Sequence, residues 1–528
     1  MHTFVFVLLL LLINACTPSA TEELGTVNMT FTARESVQDD LLTGWLLLHS
    51  FEYDDARETF RSVREQDPYA PMAYWGEAMS HHYTLWDREE TQQARAILAV
   101  WDELSADSEI SMSPTEASLM EAAQILFGKG TQQERNQHYA AFMAKQYERF
   151  PDNHEIGALY ALSLLGSVAE GRNYDIYGQA AVIANRILKE NPQHPGALHY
   201  LIHAYDDPDH AHLALNAAFS YSTVAPDAAH ALHMPSHIFV ARGMWDEVVA
   251  SNFASYYASV DRMERKNMNN NARSYHAFAW LMYGLLQQGR MEEARQILID
   301  MRSYCSANPS IPARAYRVGM IATWLACTHH ADSDLVQTNI PTDDLTTSLQ
   351  AVQEFTKGYK AYLLAQPETI HQAVQAIEKA RIIGINSLSA GAPNQCSTPQ
   401  TAANPSMIDI RVAEVMQLEL KALAQTLEEN DTEAEFLFRA AIDKESNTDF
   451  EYGPPTIVKP AHELYADWLY SKGRYQEAIE EYTLAEQRTP RRSLVTDPKR
   501  KALNILGLSP PDDPILQPEA YEIQYISR

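Results

Sequence analysis

From about residue 35 onward, apolar residues recur every three to four positions, and stretches of strict alternation are scarce. That spacing places apolar side chains along one stripe of an α-helix, so the pattern predicts helices. Residues 464–482 show the repeating theme. Leu464, Tyr465, Trp468 and Leu469 follow helical spacing, the pattern breaks at Lys472-Gly473-Arg474, and it resumes with Tyr475, Ala478, Ile479 and Tyr482. The stretch reads as helix, tight turn, helix, with Gly473 supplying the turn.

The same arrangement returns along the chain. Ala466, Ala478, Tyr482, Ala485 and Pro490 mark one unit; Gly44, Ala56, Phe60 and Pro68 mark another. Leu201, Tyr205, Ala214, Ala218, Tyr221 and Pro226 mark a third. Gly243-Met244-Trp245 and Gly289-Arg290-Met291 are further turns, the latter in a unit ending near Pro309. These residues resemble the tetratricopeptide repeat (TPR), a helix–turn–helix unit of roughly 34 residues with small residues where its helices touch. Units are placed at 37–70, 195–228, 229–262, 275–308 and 459–492, with weaker ones near 120–153, 154–194, 354–387 and 415–448. The expected fold is all-α: a TPR-like solenoid over 37–492, interrupted by loops at 331–347, 385–408 and 451–460 and closed by a C-terminal capping helix and tail, 493–528. Each unit buries its apolar face only against its neighbours, so the stack shares one core and curves around a concave binding face.

Two spacings single out one part of this array. Seven of the 19 histidines fall between His199 and His237. His199 and His203 are four residues apart, as are His233 and His237, which puts each pair on one helical face. The pairs are offset by 34 residues, one repeat, so they are expected side by side on adjacent first helices. By the TPR resemblance those positions line the concave groove, and His276, opening a later first helix, is a candidate for the same groove. Paired imidazoles at this spacing are a common arrangement for zinc or another divalent transition metal. Asp206, Asp207 and Asp209 are candidates for further ligands or for orienting a ring through its second nitrogen, and Asp209 also reads as the N-cap of the following helix. His210 and His212 read as solvated. A second, weaker cluster is Glu77, His81 and His82 beside Trp75 and Trp86.

The first residues change the picture of where the chain works. Phe4–Ile13 is an unbroken apolar run of ten residues, too short to span a bilayer but suited to a secretion signal. Ile13-Asn14-Ala15-Cys16 follows, and it resembles the lipobox of bacterial lipoproteins. The resemblance implies a signal peptide over 1–15, a lipidated Cys16, a tether over 16–36 and a site in the cell envelope, at the outer membrane or secreted. The remaining cysteines, Cys305, Cys327 and Cys396, show no paired metal spacing, and their odd number leaves at least one free thiol.

With 528 residues and a net charge of −28, the chain repels nucleic acid and anionic membrane surfaces, so membrane contact is expected only through the lipid. The sequence carries no Gly-rich phosphate loop, GxSxG, HExxH or CxxC. The leading expectation is therefore a lipid-anchored scaffold binding a protein or peptide, preferably basic, in its groove. The second is a metal-binding protein or metal-dependent enzyme using the histidines. A third resemblance, to SusD-like nutrient-binding lipoproteins, implies an aromatic binding platform, which the 27 tyrosines and eight tryptophans permit.

Overall fold

The computed structural model describes residues 24–86, 88–106, 110–169, 171–389, 406–448 and 453–509. The signal and lipidation site at 1–16, Cys396 and the tail from 510 onward lie outside the described residues.

The described chain is helical apart from a two-stranded antiparallel ribbon. In order, the helices are α1 (Gln38–His49) and α2 (Tyr53–Gln66), α3 (Pro71–Met79) and α4 (Thr91–Ala106), α5 (Pro114–Leu126) and α6 (Gln132–Arg149). They continue with α7 (His154–Gly166) and α8 (Tyr174–Glu190), α9 (Pro195–Ala204) and α10 (Leu215–Val224), then α11 (Ala229–His233), α12 (Pro235–Ala241) and α13 (Trp245–Arg265). The remainder are α14 (Tyr275–Gln287) and α15 (Met291–Ala307), α16 (Ile311–Thr328), α17 (Thr347–Leu363) and α18 (Pro367–Ser389), α19 (Met407–Leu427) and α20 (Asp431–Ser446), α21 (Ala461–Ser471) and α22 (Tyr475–Arg488), and α23 (Ser493–Ile505). The ribbon, His82–Tyr83 paired with Arg88–Glu89, lies between α3 and α4.

These are stacked antiparallel helix pairs, a TPR-like solenoid. The small motif residues explain how closely they pack. Phe60 of α2 is wholly buried between α1 and α3, where a Cβ on Gly44 would stand 3.0 Å, and one on Gly76 2.3 Å, from its ring. Any larger residue there would push the helices apart. At the turn between α21 and α22, Gly473 adopts φ +74°, which side chains with a Cβ disfavour.

The solenoid does not stay open. The first hairpin returns to the middle of the stack: the His49 carbonyl accepts from His199 Nδ1 at 2.8 Å, Glu52 accepts the His230 backbone N–H at 2.9 Å, and Arg262 Nε donates to Asp55 at 2.9 Å. The last hairpin returns to the same middle: Trp245 Nε1 donates to the Arg491 carbonyl at 3.0 Å, Arg492 to the Tyr283 hydroxyl at 3.0 Å, and the Ser493 N–H to Gln287 at 2.9 Å. Two closed loops result, both fastened to α13. The expected open concave face at the histidines is therefore filled by the chain's own first hairpin.

Three further expectations change. The tether is not free beyond residue 23: Leu24 and Phe31 are buried, the Thr26 N–H donates to the Gln193 carbonyl at 3.0 Å, and Glu116 accepts from Thr32 N at 2.7 Å. The 331–347 segment carries no helix before α17 begins at Thr347, in line with a loop, and within it Leu335, Val336, Ile340 and Leu345 are buried. Gln353 clamps it by accepting from Ile340 N at 3.1 Å and donating to Ile340 O at 3.0 Å. The helix α18 runs to Ser389, shortening the expected 385–408 loop, and the pair α3–α4 forms a unit that the repeat spacing does not mark.

Candidate metal centre

Four short elements bring six histidines together. His199 and His203 lie on α9, which starts at Pro195; the His194 side chain caps it by accepting from the Ala197 N–H at 3.1 Å. His230 and His233 lie on α11, three residues apart, and His237 lies on α12. Pro235 separates those two helices, since proline cannot continue the backbone ladder. His276 lies on α14.

The four in-register histidines do not meet as one set. They divide into two triads: His199, His203 and His230, and His233, His237 and His276. Within each triad one nitrogen per ring lies within 4.8 Å of the others. His199 Nε2 is 3.1 Å from His203 Nε2 and 3.2 Å from His230 Nε2; His233 Nε2 is 3.1 Å from His237 Nε2. Metal–nitrogen bonds of about 2.0–2.1 Å in tetrahedral geometry set ligand nitrogens roughly 3.3 Å apart. The His199–His203, His199–His230 and His233–His237 approaches are within a few tenths of an ångström of that spacing.

Partners of the opposite ring nitrogen fix where the protons sit. His199 Nδ1 donates to the His49 carbonyl. His237 Nδ1 lies 2.5 Å from Asp206 Oδ2, and a carboxylate only accepts. His233 Nδ1 lies 2.7 Å from Asn252 Oδ1, whose amide nitrogen donates to the Val248 carbonyl at 2.8 Å. His276 Nδ1 meets the Tyr316 hydroxyl at 3.1 Å. The Nε2 atoms of His233 and His237 face each other at 3.1 Å, with His276 as the third ring of the group. A single proton joins two such nitrogens, whereas a metal ion joins all three.

The surroundings disfavour charge on His199, His203, His230, His233 and His276. Burial pushes His199 and His276 down to about 3, with neighbouring imidazoles adding to the effect. Burial followed by neighbouring histidines likewise holds His203, His230 and His233 well below the usual range. Phe51 lies 4.3 Å from His199, ring centre to ring centre, and Trp280 lies 4.8 and 4.7 Å from His233 and His237. His203, His230 and His276 stay half-buried, so the triads are reached from outside.

The other candidates have different roles. Asp206 stands behind His237. Asp207 pairs with Arg172 at 3.2 Å and with His210 at 2.8 Å. It also accepts the backbone N–H groups of Asp209 and His210, so Asp207, not Asp209, caps this turn. His212 is exposed. The second cluster is dispersed: Glu77 faces Arg61 and Arg64, His81 pairs with Glu90 at 2.7 Å, His82 meets Thr84 and Asn136, and Trp75 stacks on Trp45 at 4.6 Å. Cys305 and Cys327 are free thiols.

A third group, His49, Glu155 and His194, has metal-like spacing and escaped the sequence reading because its members lie 106 and 39 residues apart. Its hydrogen bonds mark it as structural. His49 Nε2 donates to Glu155 at 2.8 Å and its Nδ1 accepts from the Tyr200 hydroxyl at 2.8 Å. His194 donates to Glu155 at 3.1 Å, and Trp45 at 2.5 Å. Burial alone would raise the Glu155 carboxyl, but the two histidines hold it well below the usual range. His230 belongs to the first triad although the repeat offset passes over it; its signal is the three-residue step to His233.

No family model and no curated protein matches the sequence. Among solved structures the chain is similar to a monomeric IFIT1 mutant with m7Gppp-AAAA, at 13% identity and TM-score 0.38, covering 89% of this chain and 92% of that one. It is also similar to the APC/C Cut9–Hcn1 hetero-tetramer, at 13% identity and TM-score 0.35, covering 88% and 76%. Yeast Tom70 is a third, at 10% identity and TM-score 0.30, covering 89% and 88%.

Proposed function

We propose that this chain is a transition-metal-binding protein built on a closed TPR-like solenoid, with an ion held by His233, His237 and His276. The observation that carries the reading is the 3.1 Å approach of the His233 and His237 Nε2 atoms while Asn252 and Asp206 hold their Nδ1 protons. Neutral imidazoles suit zinc, copper, iron or nickel. Asp206 and Asn252 fix ring orientation and raise ligand basicity. The protein's part in any chemistry is to exclude water with Trp280 and Phe51 and to hold the rings at fixed angles. Three protein ligands leave a coordination position open, as in catalytic rather than structural zinc sites. Anchoring in the cell envelope through Cys16 completes the reading, on the support of the Phe4–Cys16 sequence alone.

The test is a calorimetric zinc titration of the chelator-stripped full chain. Binding should fall by one ion per chain in His233→Ala and His237→Ala and be unchanged in His212→Ala, which changes an exposed ring. Binding unaltered by the triad substitutions overturns the proposal.

A further inference from the structure

We propose that the two triads form one dinuclear centre, in which two transition-metal ions share a single small inorganic anion of the hydroxide or azide class. The inference rests on the metal reading above and goes beyond it by joining the triads and naming what they take up.

Contiguity is the first argument. His203 and His237, from different triads, have ring centres 5.9 Å apart, and His230 and His233 are 6.3 Å apart. His230 and His233 sit three residues apart on α11, so one short helix supplies a ligand to each ion. The triads therefore cannot move independently.

Charge is the second. Among the described residues, neither triad includes a carboxylate. Two divalent ions would bring four positive charges into surroundings walled by Phe51 and Trp280. Asp206 lies on the far, Nδ1 side of His237, and Glu52 accepts from the His230 backbone N–H. Burying charge without compensation is costly. Each ion also has an open position, because three nitrogens do not complete its coordination. One anion bridging the pair fills both positions and offsets charge at both ions, the arrangement by which two-metal sites stabilise oxygen ligands. Access favours a small occupant: half-buried His203, His230 and His276 are the exposed margin, and Trp86, 37% exposed, stands 5.6 Å from His230 at its edge.

Copper(II) is the probe, because two copper ions sharing a bridge couple their spins. The chelator-stripped full chain is loaded with copper(II), and bound copper, paramagnetic resonance spin count and azide uptake are measured. The expected result is two copper ions per chain, a spin signal far below two spins, and one azide taken up per pair. His276→Ala should then hold one copper ion with a full one-spin signal. If that variant fails to give the wild-type helical spectrum, His230→Ala, in the other triad, supplies the same readout. Two copper ions with the full spin count and independent azide uptake, or a single copper ion in the unaltered chain, overturn the bridged pair and leave the metal reading standing. No copper bound through the triads overturns both.

Discussion

The two closed loops of the solenoid are each fastened by a buried polar cluster, and the clusters differ in one respect. In the C-terminal loop, Glu463 lies between Lys459 at 2.9 Å and Arg492 at 2.7 Å, and Lys459 also reaches Asp467 at 2.5 Å. Lys459, Glu463, Asp467 and Arg492 each face an opposite charge there, while Glu419 beside them keeps both oxygens without hydrogen-bond partners. In the N-terminal loop, the His49–Glu155–His194 group is similarly paired, but the adjoining triads, among the described residues, set ring nitrogens against one another with no carboxylate in the group. A buried polar group tolerates burial when its hydrogen-bonding capacity is met. The difference separates opposite-charge clusters that hold the fold from the histidine triads in which we propose a cation.

The largest effect expected is on the satisfied cluster of the C-terminal loop. Glu463→Ala leaves buried Arg492 without its carboxylate and Lys459 with Asp467 alone, and the loss of one partner of a buried pair costs about 3–5 kcal/mol. Urea unfolding should show this loss, with metal affinity in the N-terminal loop changed far less. Next is Gly453→Ala. Gly453 has φ +81°, and a Cβ there would stand 2.0 Å from the Trp280 ring. Overpacking of this kind costs about 1–3 kcal/mol. Because Trp280 also lies on the second triad, this variant should bind zinc more weakly. Gly473→Ala, with a similar φ of +74° and nothing within 4 Å of the added Cβ, should lose stability but not zinc. If both variants bind zinc alike, the coupling through Trp280 is wrong.

Asp206→Asn comes third. Loss of a carboxylate behind a metal-bound histidine typically costs 10–100-fold in affinity, roughly 1.4–2.7 kcal/mol. Titration calorimetry should find that range with the folding midpoint of the C-terminal loop unchanged.

The loops should also respond to pH in opposite senses. In the metal-free fold His199 and His276 stay neutral down to about 3, whereas in the unfolded chain histidines take up protons below about 6.5. Stability from this loop is full above about 6.5 and is lost as pH falls from there toward 3. Glu419 behaves in reverse. Burial, then Glu445 and Glu463, push it well above the usual range, and both its oxygens lack hydrogen-bond partners. The fold keeps its proton while the unfolded chain loses it above about 4.3, so this contribution is full below that pH and declines as pH rises. Hydrogen exchange on chelated protein should show the N-terminal loop opening first at pH 5 and the C-terminal loop first at pH 9. The same order at both would break the comparison. The smallest effect expected is from Phe253→Ser, a half-exposed position on α13, within about 0.5 kcal/mol by thermal melting.

Helix pairing was legible because Gly44, Ala56, Phe60 and their equivalents act locally, within one unit and its neighbour. The 34-residue offset of the histidine pairs was legible for the same reason. Closure of the loops was not: it depends on contacts such as His49 with His199, 150 residues apart, that no periodicity marks. Closure puts Phe51 against the histidines where an open groove was expected. The regrouping into two triads follows from the break at Pro235 and from His230 and His276, neither of which sits at the repeat offset. The buried apolar residues within the 331–347 loop were not legible, because a few apolar side chains in a polar irregular stretch leave no periodicity.

Elemental analysis of the full-length chain, purified without an affinity tag or chelator, tests the central claim most directly. The account predicts at least one transition-metal ion per chain, and one ion fewer in His233→Ala and His237→Ala. Fewer than about 0.1 ion per chain would contradict it, given the tight binding such sites show at neutral pH.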